Sequence, residues 1–429
     1  MKRNIVLIFL LILAVCITGC GKPAAKKDEV VVWHWMTDRD KALQTLAEKY
    51  QEKTGVTISL ELYAPSNIYS QKIISAAQAR VLPDIFGILD EKEILGEFIK
   101  SGNVANLTEA FQANNAVWKK SLFPRALAAS QFEDGNFYDV IPGIYGVPLD
   151  VTNIQMLYNK KLLEKAGIKN PPGTFKEFLG AIAALRRVGI SGMVSGWGEP
   201  WLINCFASNY AFNIVGEEKI MATYRGEVSY TDSDWLKVLG VFSTLHKKQA
   251  LMEGIATKGN KYAEQDFALE RAAFAFNGSW CVNVYNNMNA ELEYGVMLPP
   301  AISKNFPMKI WGGAGSSFVV NDKSPNKDKA VAFLKWLTAK EQQAYLAKET
   351  HNLPSNRQAL DAIPEILSEF AEAMDSTTHP TIWELNEDAL VIEAFDRGIQ
   401  SIIIGEKSPK KVAREVQAIK ERQMKKKKR

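Results

Sequence analysis

Histidine and cysteine are both scarce in this chain, four of each among 429 residues. His34, His246, His351 and His379 stand singly, and Cys16, Cys20, Cys205 and Cys281 fall at no spacing that a metal site uses. The sequence also lacks HExxH, a P-loop, GxSxG and a dinucleotide-binding glycine fingerprint. The local signatures of zinc peptidases, nucleotide hydrolases, serine hydrolases and nicotinamide enzymes are therefore missing, and no metal or cofactor is expected. There is no internal repeat. The N-terminal apolar run, residues 5–17, is shorter than the about 20 residues that a membrane-spanning helix needs.

A strong charge of one sign is also missing from the body. The formal net charge is +4, but Lys2, Arg3 and the closing run from Lys425 to Arg429 supply more than that. Without them the chain is slightly acidic, which argues against a nucleic-acid surface. The basic run is a solvated tail in one reading and a second, electrostatic contact with a membrane in another.

What the N-terminus does contain is a basic start, the short apolar run and then Ile17-Thr18-Gly19-Cys20. Basic and apolar segments in that order fit a secretory signal over 1–19. The tetrapeptide resembles the bacterial lipobox, in which the cysteine, here Cys20, receives the lipid after cleavage. Residues 20–29 read as a polar tether. Beyond the cytoplasm, Cys205 and Cys281 could be joined in a disulfide, or stand as two buried thiols.

From residue 30 the pattern is α/β. VVVWHWM is a β-branched and aromatic strand, and Thr37 with Asp40 suggests a capping box. Leu43, Leu46, Ala47 and Tyr50 give an amphipathic helix over 39–53, closed by Gly55. A strand over 56–62, a helix over 67–80, a buried strand over 83–88 and a helix over 91–101 follow. This order predicts a largely parallel, doubly wound sheet. Asn159, Thr174 with Glu177, and Ser324-Pro325 mark further helix starts. Trp235 and Trp336 lie on or beside helical apolar stripes and read as core, and Trp118 and Trp383 have no clear setting.

Several stretches, in order, resemble the extracellular solute-binding proteins of bacterial carbohydrate uptake transporters, the maltose-binding-protein-like group. They are YGVPLDVTNIQMLYNKKLLEKAG (145–167), LPDIFGILD (82–90), SGNVANLTEAF (101–111), NPPGTFKEF (170–178), AAFAFNGSW (272–280), GVMLPP (295–300), WGGAGSSFVV (311–320), SPNKDKAVAFLKWLT (324–338) and NLPSNRQA (352–359). Glu270-Arg271 stands where the group usually carries Gly-Lys. The resemblance implies a periplasmic-binding-protein-like fold of two lobes, each a doubly wound sheet flanked by helices. Three hinge crossings would lie near 147–150, 271–274 and 315–319. The lobes would be 30–148 with 274–316, and 149–273 with 317–424, followed by the tail 425–429. It further implies a lipid-anchored monomer on the extracytoplasmic face of a bacterial membrane. It would bind a sugar or oligosaccharide and pass it to an ABC transporter permease, without catalysis.

A sugar offers an apolar face to an aromatic plate and hydroxyls to carboxylates or backbone N–H groups. The chain has ten tryptophans. Trp35 ends the first strand; Trp197 and Trp201 sit in SGWGEPW; Trp280 and Trp311 sit in loops. These five are the expected plates. Asp38, Asp90 and Asp150 are the expected acceptors, with helix capping the plainer role for the first two. Gly312 and Gly313 are expected to bring backbone N–H groups to the ligand. Two rival readings are a surface glycoside hydrolase using Asp90 and Glu199, and the same fold binding a glycerol phosphate ester. The second would require a basic cleft, and the loops named here carry no Arg/Lys cluster.

Overall fold

The structure, a computed structural model, describes residues 28–64, 66–88, 92–136, 138–378 and 387–427. The expected signal segment 1–19, Cys20, most of the tether, Asp90, Trp383, and Lys428 and Arg429 of the tail lie outside the described residues.

Nine strands form one hydrogen-bonded sheet. They are β1 (Glu29–His34), β2 (Thr57–Leu62), β3 (Ile85–Ile88), β4 (Val147–Asn159), β5 (Ser191–Val194), β6 (Ala272–Gly278), β7 (Tyr294–Met297), β8 (Gly312–Val320) and β9 (Leu353–Pro354). The main order is β2-β1-β3-β8-β4-β6-β5, with β7 and β9 also on β4. β1 is parallel to β2 and β3, and β5 is parallel to β6, as helical crossovers require. β4 and β8 run against their neighbours.

β4 joins the two halves of the sheet. Its first part pairs with β8 through Asn153, and its last part pairs with β6 and β7. The far end of β8, Ser317 to Val320, pairs with β3. Among the described residues β6 pairs with β4 and β5, and β7 with β4. β9 pairs with Asp150 and Val151. One long strand thus serves both halves of the sheet without a separate linker.

The first half is packed by helix Asp40–Thr54, whose Leu43, Leu46, Ala47 and Tyr50 are buried. Gly55 closes it with φ 78°, a left-handed conformation that favours glycine. The capping box at Thr37 does not form: Arg39 takes the cap position without a side-chain bond, and the Asp40 carboxylate lies 3.2 Å from the His34 ring. The box at Thr174 and Glu177 does form, and Asn159 caps its helix by accepting from the Leu162 amide. Ser324 is two residues early. The helix starts at Lys327, and the Ser324 hydroxyl donates to buried Asp84 instead.

Helices Phe175–Arg187, Pro200–Ile214, Ser233–Lys247, Ala389–Ile403 and Pro409–Lys427 pack the second half. Trp235 is fully buried there, with its indole N–H on the Thr223 hydroxyl at 2.9 Å. Trp118 stacks on Phe111 at 4.0 Å, and Trp336 packs against Phe333 and Tyr50. Cys205 and Cys281 are separate buried thiols. The expected tail is helical as far as Lys427.

Candidate functional site

In an α/β sheet, ligands gather beyond the carboxyl ends of parallel strands. Here those ends from both halves meet the same stretch of β4 and β8. β1 runs out into Trp35, Asp38 and Arg39. The Arg39 guanidinium donates to Asp150 Oδ2 at 2.6 Å and to the Ser316 hydroxyl at 2.7 Å, and Ser316 donates to Asp150 Oδ1 at 2.6 Å. β6 runs out into Ser279 and Trp280. The Ser279 amide donates to the Asn153 carbonyl at 2.9 Å, and its hydroxyl lies 3.0 Å from that of Thr152. Two strand ends thus face one another across the residues where the sheet passes from one half to the other.

Each half lays an indole over a glycine. A Cβ on Gly278 would stand 2.0 Å from Trp280 Cζ3, and one on Gly87 would stand 2.4 Å from Trp35 Cζ3. Asn277 and Gly278 continue β6 opposite Gln155 and Ile154, so the strand runs two residues beyond its apolar alternation. Gly278 is small because the ring folds back across it. Trp35 is half-buried and tilts against Tyr69, with centroids 5.2 Å apart.

Trp280 has a partner. The Trp201 ring lies 5.9 Å away, tilted by 46°. Trp201 donates its indole N–H to Glu199 Oε2 at 3.1 Å. The Trp280 side chain lies beside Glu264. The other Glu199 oxygen accepts the Asn260 amide at 2.7 Å, and Glu264 Oε1 accepts the side-chain amides of Asn260 (2.9 Å) and Asn277 (3.0 Å). The polar edge of Trp201 is engaged by a carboxylate, a geometry that leaves its ring faces for an apolar partner.

The two buried acids of the site have raised pKa values. Burial raises Asp150 most, against the opposing pull of Arg39 and the Ser316 bond. Burial also raises Glu264, against three hydrogen bonds and with a further push from Glu199.

The family described as bacterial extracellular solute-binding protein matches residues 45–373. The chain belongs to that family. Diacetylchitobiose binding protein DasA of Streptomyces coelicolor is 24% identical over 321 residues, covering 74% of this chain and 70% of that protein. The multiple sugar-binding protein of Streptococcus mutans is 21% identical over 352 residues, covering 77% of each chain. Among solved structures, the sugar-binding protein MalE of Xanthomonas citri superposes with a TM-score of 0.73 at 18% identity, covering 93% of this chain and 98% of that one. A chitin oligosaccharide binding protein gives 0.73 at 20% identity, covering 92% and 98%. The fold of this solute-binding protein is accordingly two-lobed.

The expected plates separate into two groups. Trp201 and Trp280 come together, and Trp35 lies at the opposite strand end beside exposed Asp38. Trp311 is half-buried against the second core, and its carbonyl accepts the Ile154 amide at 2.9 Å. Trp197 is a correction. It is fully buried between Phe206 and Phe242. Gly196 and Gly198 press so closely on the backbone of Asn260 and Thr257 that a Cβ on either would clash, and the residue between them is buried in the core.

Gly312 and Gly313, the expected backbone contacts, are strand residues. They lie in the β8 ladder opposite Asn153 and Thr152. A Cβ on Gly312 would meet Asn153 Cβ at 2.6 Å and Thr377 Cγ2 at 2.8 Å, so its smallness serves strand packing. Asp150 is held by Arg39 and Ser316 and is not an open acceptor. Arg39, Ser316, Asn260 and Glu264 are the site residues that sequence reasoning missed. A spacing of four on one helix is the only trace that joins Asn260 to Glu264.

Proposed function

We propose that this solute-binding protein captures a sugar or oligosaccharide between two closing lobes and delivers it to an ABC transporter permease. The observation that carries this is the Trp201–Trp280 pair, in which the Trp201 indole N–H is engaged by Glu199. Aromatic faces brought together in this way suit the C–H face of a sugar ring. Trp35 and Asp38, from the other strand end, close over the opposite side, with Trp311 at the margin and Asp90 retained from the sequence. The names of relatives that bind diacetylchitobiose, multiple sugars and chitin oligosaccharides favour the same class.

The strand pairing supports a first lobe of 29–150 with 316–350, and a second of 152–314 with 355–427. Hinge motion then falls on Val151 and Gly315 and on the passage through β9. The bulge in β8 beside Ser316 supplies the irregular backbone that a hinge uses. The protein is a monomer that does no chemistry. Both Glu199 oxygens accept hydrogen bonds, which weakens the hydrolase reading. The Arg39 guanidinium at the crossing is paired with Asp150, which weakens the phosphate-ester reading. Lipid at Cys20 holds the protein on the extracytoplasmic face of the membrane.

Titration calorimetry with short malto-, chito- and xylo-oligosaccharides tests the ligand class, with product analysis on the same samples. Tight binding without cleavage is expected, together with compaction in solution scattering. Turnover, or no binding by any of them, would overturn the reading. For the anchor, Cys20→Ala is expected to shift the protein to the soluble fraction or to block its processing; normal processing with membrane retention argues against a lipid at Cys20.

A further inference from the structure

A buried carboxylate usually has a cation beside it. Asp266 has Lys258 and Arg271, and Glu387 has Lys420. Glu264 is only 5% exposed, yet no Lys or Arg pairs with it among the described residues. Its hydrogen-bond partners are neutral donors, Asn260 and Asn277 at the end of β6, and Trp280 lies beside it. Asn260 then passes through its own backbone amide to Glu199, and Glu199 to Trp201. The chain of hydrogen bonds runs from the Trp201 indole to Glu264 and on to Asn277, one residue before the glycine under the Trp280 ring.

We propose that Glu264 is the positioning residue of the aromatic platform. It holds Asn277, next to the Gly278 over which the Trp280 ring folds, and the Trp201 ring through Asn260 and Glu199, so that the two rings hold one mutual angle before ligand arrives. The proposal rests on the reading that these rings receive a carbohydrate. The physical case is that a binding face gains from supports that lock its rotamers beforehand. A carboxylate is the suitable support, because it accepts from several donors at once and donates to none. The same choice puts an uncompensated charge in a buried place, a cost to stability of the sort that binding sites carry. Removing Glu264 should therefore harm binding more than stability.

Glu264→Ala and Glu264→Gln in the mature chain test this with two readouts. The first is circular dichroism without ligand. Two indoles 5.9 Å apart and tilted by 46° give an exciton couplet, isolated by subtracting the spectrum of Trp201→Phe. The couplet is expected to vanish in Glu264→Ala and to persist, weakened, in Glu264→Gln. The second is calorimetry with the sugars named above. Affinity is expected to fall about tenfold or more in Glu264→Ala, the loss of a hydrogen bond to a charged group, and less in Glu264→Gln. Melting temperatures should stay level or rise. A couplet and affinity that match wild type overturn the proposal, as does a loss of affinity that merely tracks a lower melting temperature. If no sugar binds the wild-type protein, the carbohydrate reading fails, and the couplet alone decides whether Glu264 positions the rings.

Discussion

Asp150 and Glu264 are both buried carboxylates at this site, and they are held in opposite ways. Asp150, at the crossing, has a guanidinium at 2.6 Å and a serine hydroxyl on its other oxygen. Glu264, at the proposed binding face, has only neutral donors. On the proposed reading the crossing keeps its form whether the lobes are open or closed, and its charge is matched within the protein. On the same reading the binding face presents two rings at a set angle, and there an unmatched charge is tolerated for the geometry it imposes. The difference would separate a structural acid from a functional one, although burial raises the pKa of both.

The most severe way to break the comparison is to give Asp150 the condition of Glu264. Arg39→Met leaves a buried carboxylate with Ser316 alone. Removing one partner of a buried pair costs about 3–5 kcal/mol, and urea unfolding near neutral pH should show a loss of that size. Adding Asp150→Leu to Arg39→Met should recover most of it, since an apolar replacement of both partners is often neutral. A loss below about 1 kcal/mol in the single variant would mean that Asp150 is no better matched than Glu264, and the contrast would fall.

Trp197, before helix Pro200–Ile214, and Trp201, in its first turn, sharpen it within one short stretch. Trp197 is enclosed by Phe206 and Phe242, while Trp201 is 37% exposed with its N–H on Glu199. Trp197→Ala is expected to cost about 3–5 kcal/mol as a core truncation, with the affinity of whatever folds near normal. Trp201→Ala should cost under about 1 kcal/mol in stability and about tenfold in affinity. Thermal melts and calorimetry on both variants decide it; equal effects on both properties would dissolve the distinction.

These residues also show what could be seen in the sequence. Helical stripes placed Trp235 and Trp336 in cores, and motif order gave the two-lobed fold, because periodicity and turn chemistry are local properties. Trp197 and Trp201 looked alike, since SGWGEPW has no period and the direction of each ring depends on residues 257–260 pressing on the two glycines. The packing of Gly312 on Asn153 and Thr377 was invisible because both are remote in sequence. The sharing of β4 between the two halves of the sheet was invisible for the same reason: only pairing tells which part of β4 each strand joins. Glu264 left no signal beyond its spacing of four from Asn260, because its other donor, Asn277, comes from β6.

The smallest effect follows from the Glu264 carboxyl itself. Burial holds its pKa above the ordinary value of 4.5. From 4.5 up to the folded value, the native protein keeps a proton that the unfolded chain has released, so stability from this group falls as pH rises through that window. Above the window the loss is complete and the curve is flat. Glu264→Gln cannot titrate there. Wild-type stability measured against this variant should therefore decline from about pH 4.5 upward and then level off, with a slope no steeper than one proton allows, about 1.4 kcal/mol per pH unit. The groups around Glu264 do not obscure the sign. Cys281 and Tyr285 are pushed well up by burial and stay neutral. The Lys258–Asp266 pair is present in both proteins and cancels in the difference. Glu199 adds to the upward push as long as it is ionised. Urea unfolding of the two proteins across this range is the measurement. Parallel curves, or a wild-type protein that gains on the variant as pH rises, would show that burial does not raise the Glu264 carboxyl, and that its charge is compensated in the folded protein.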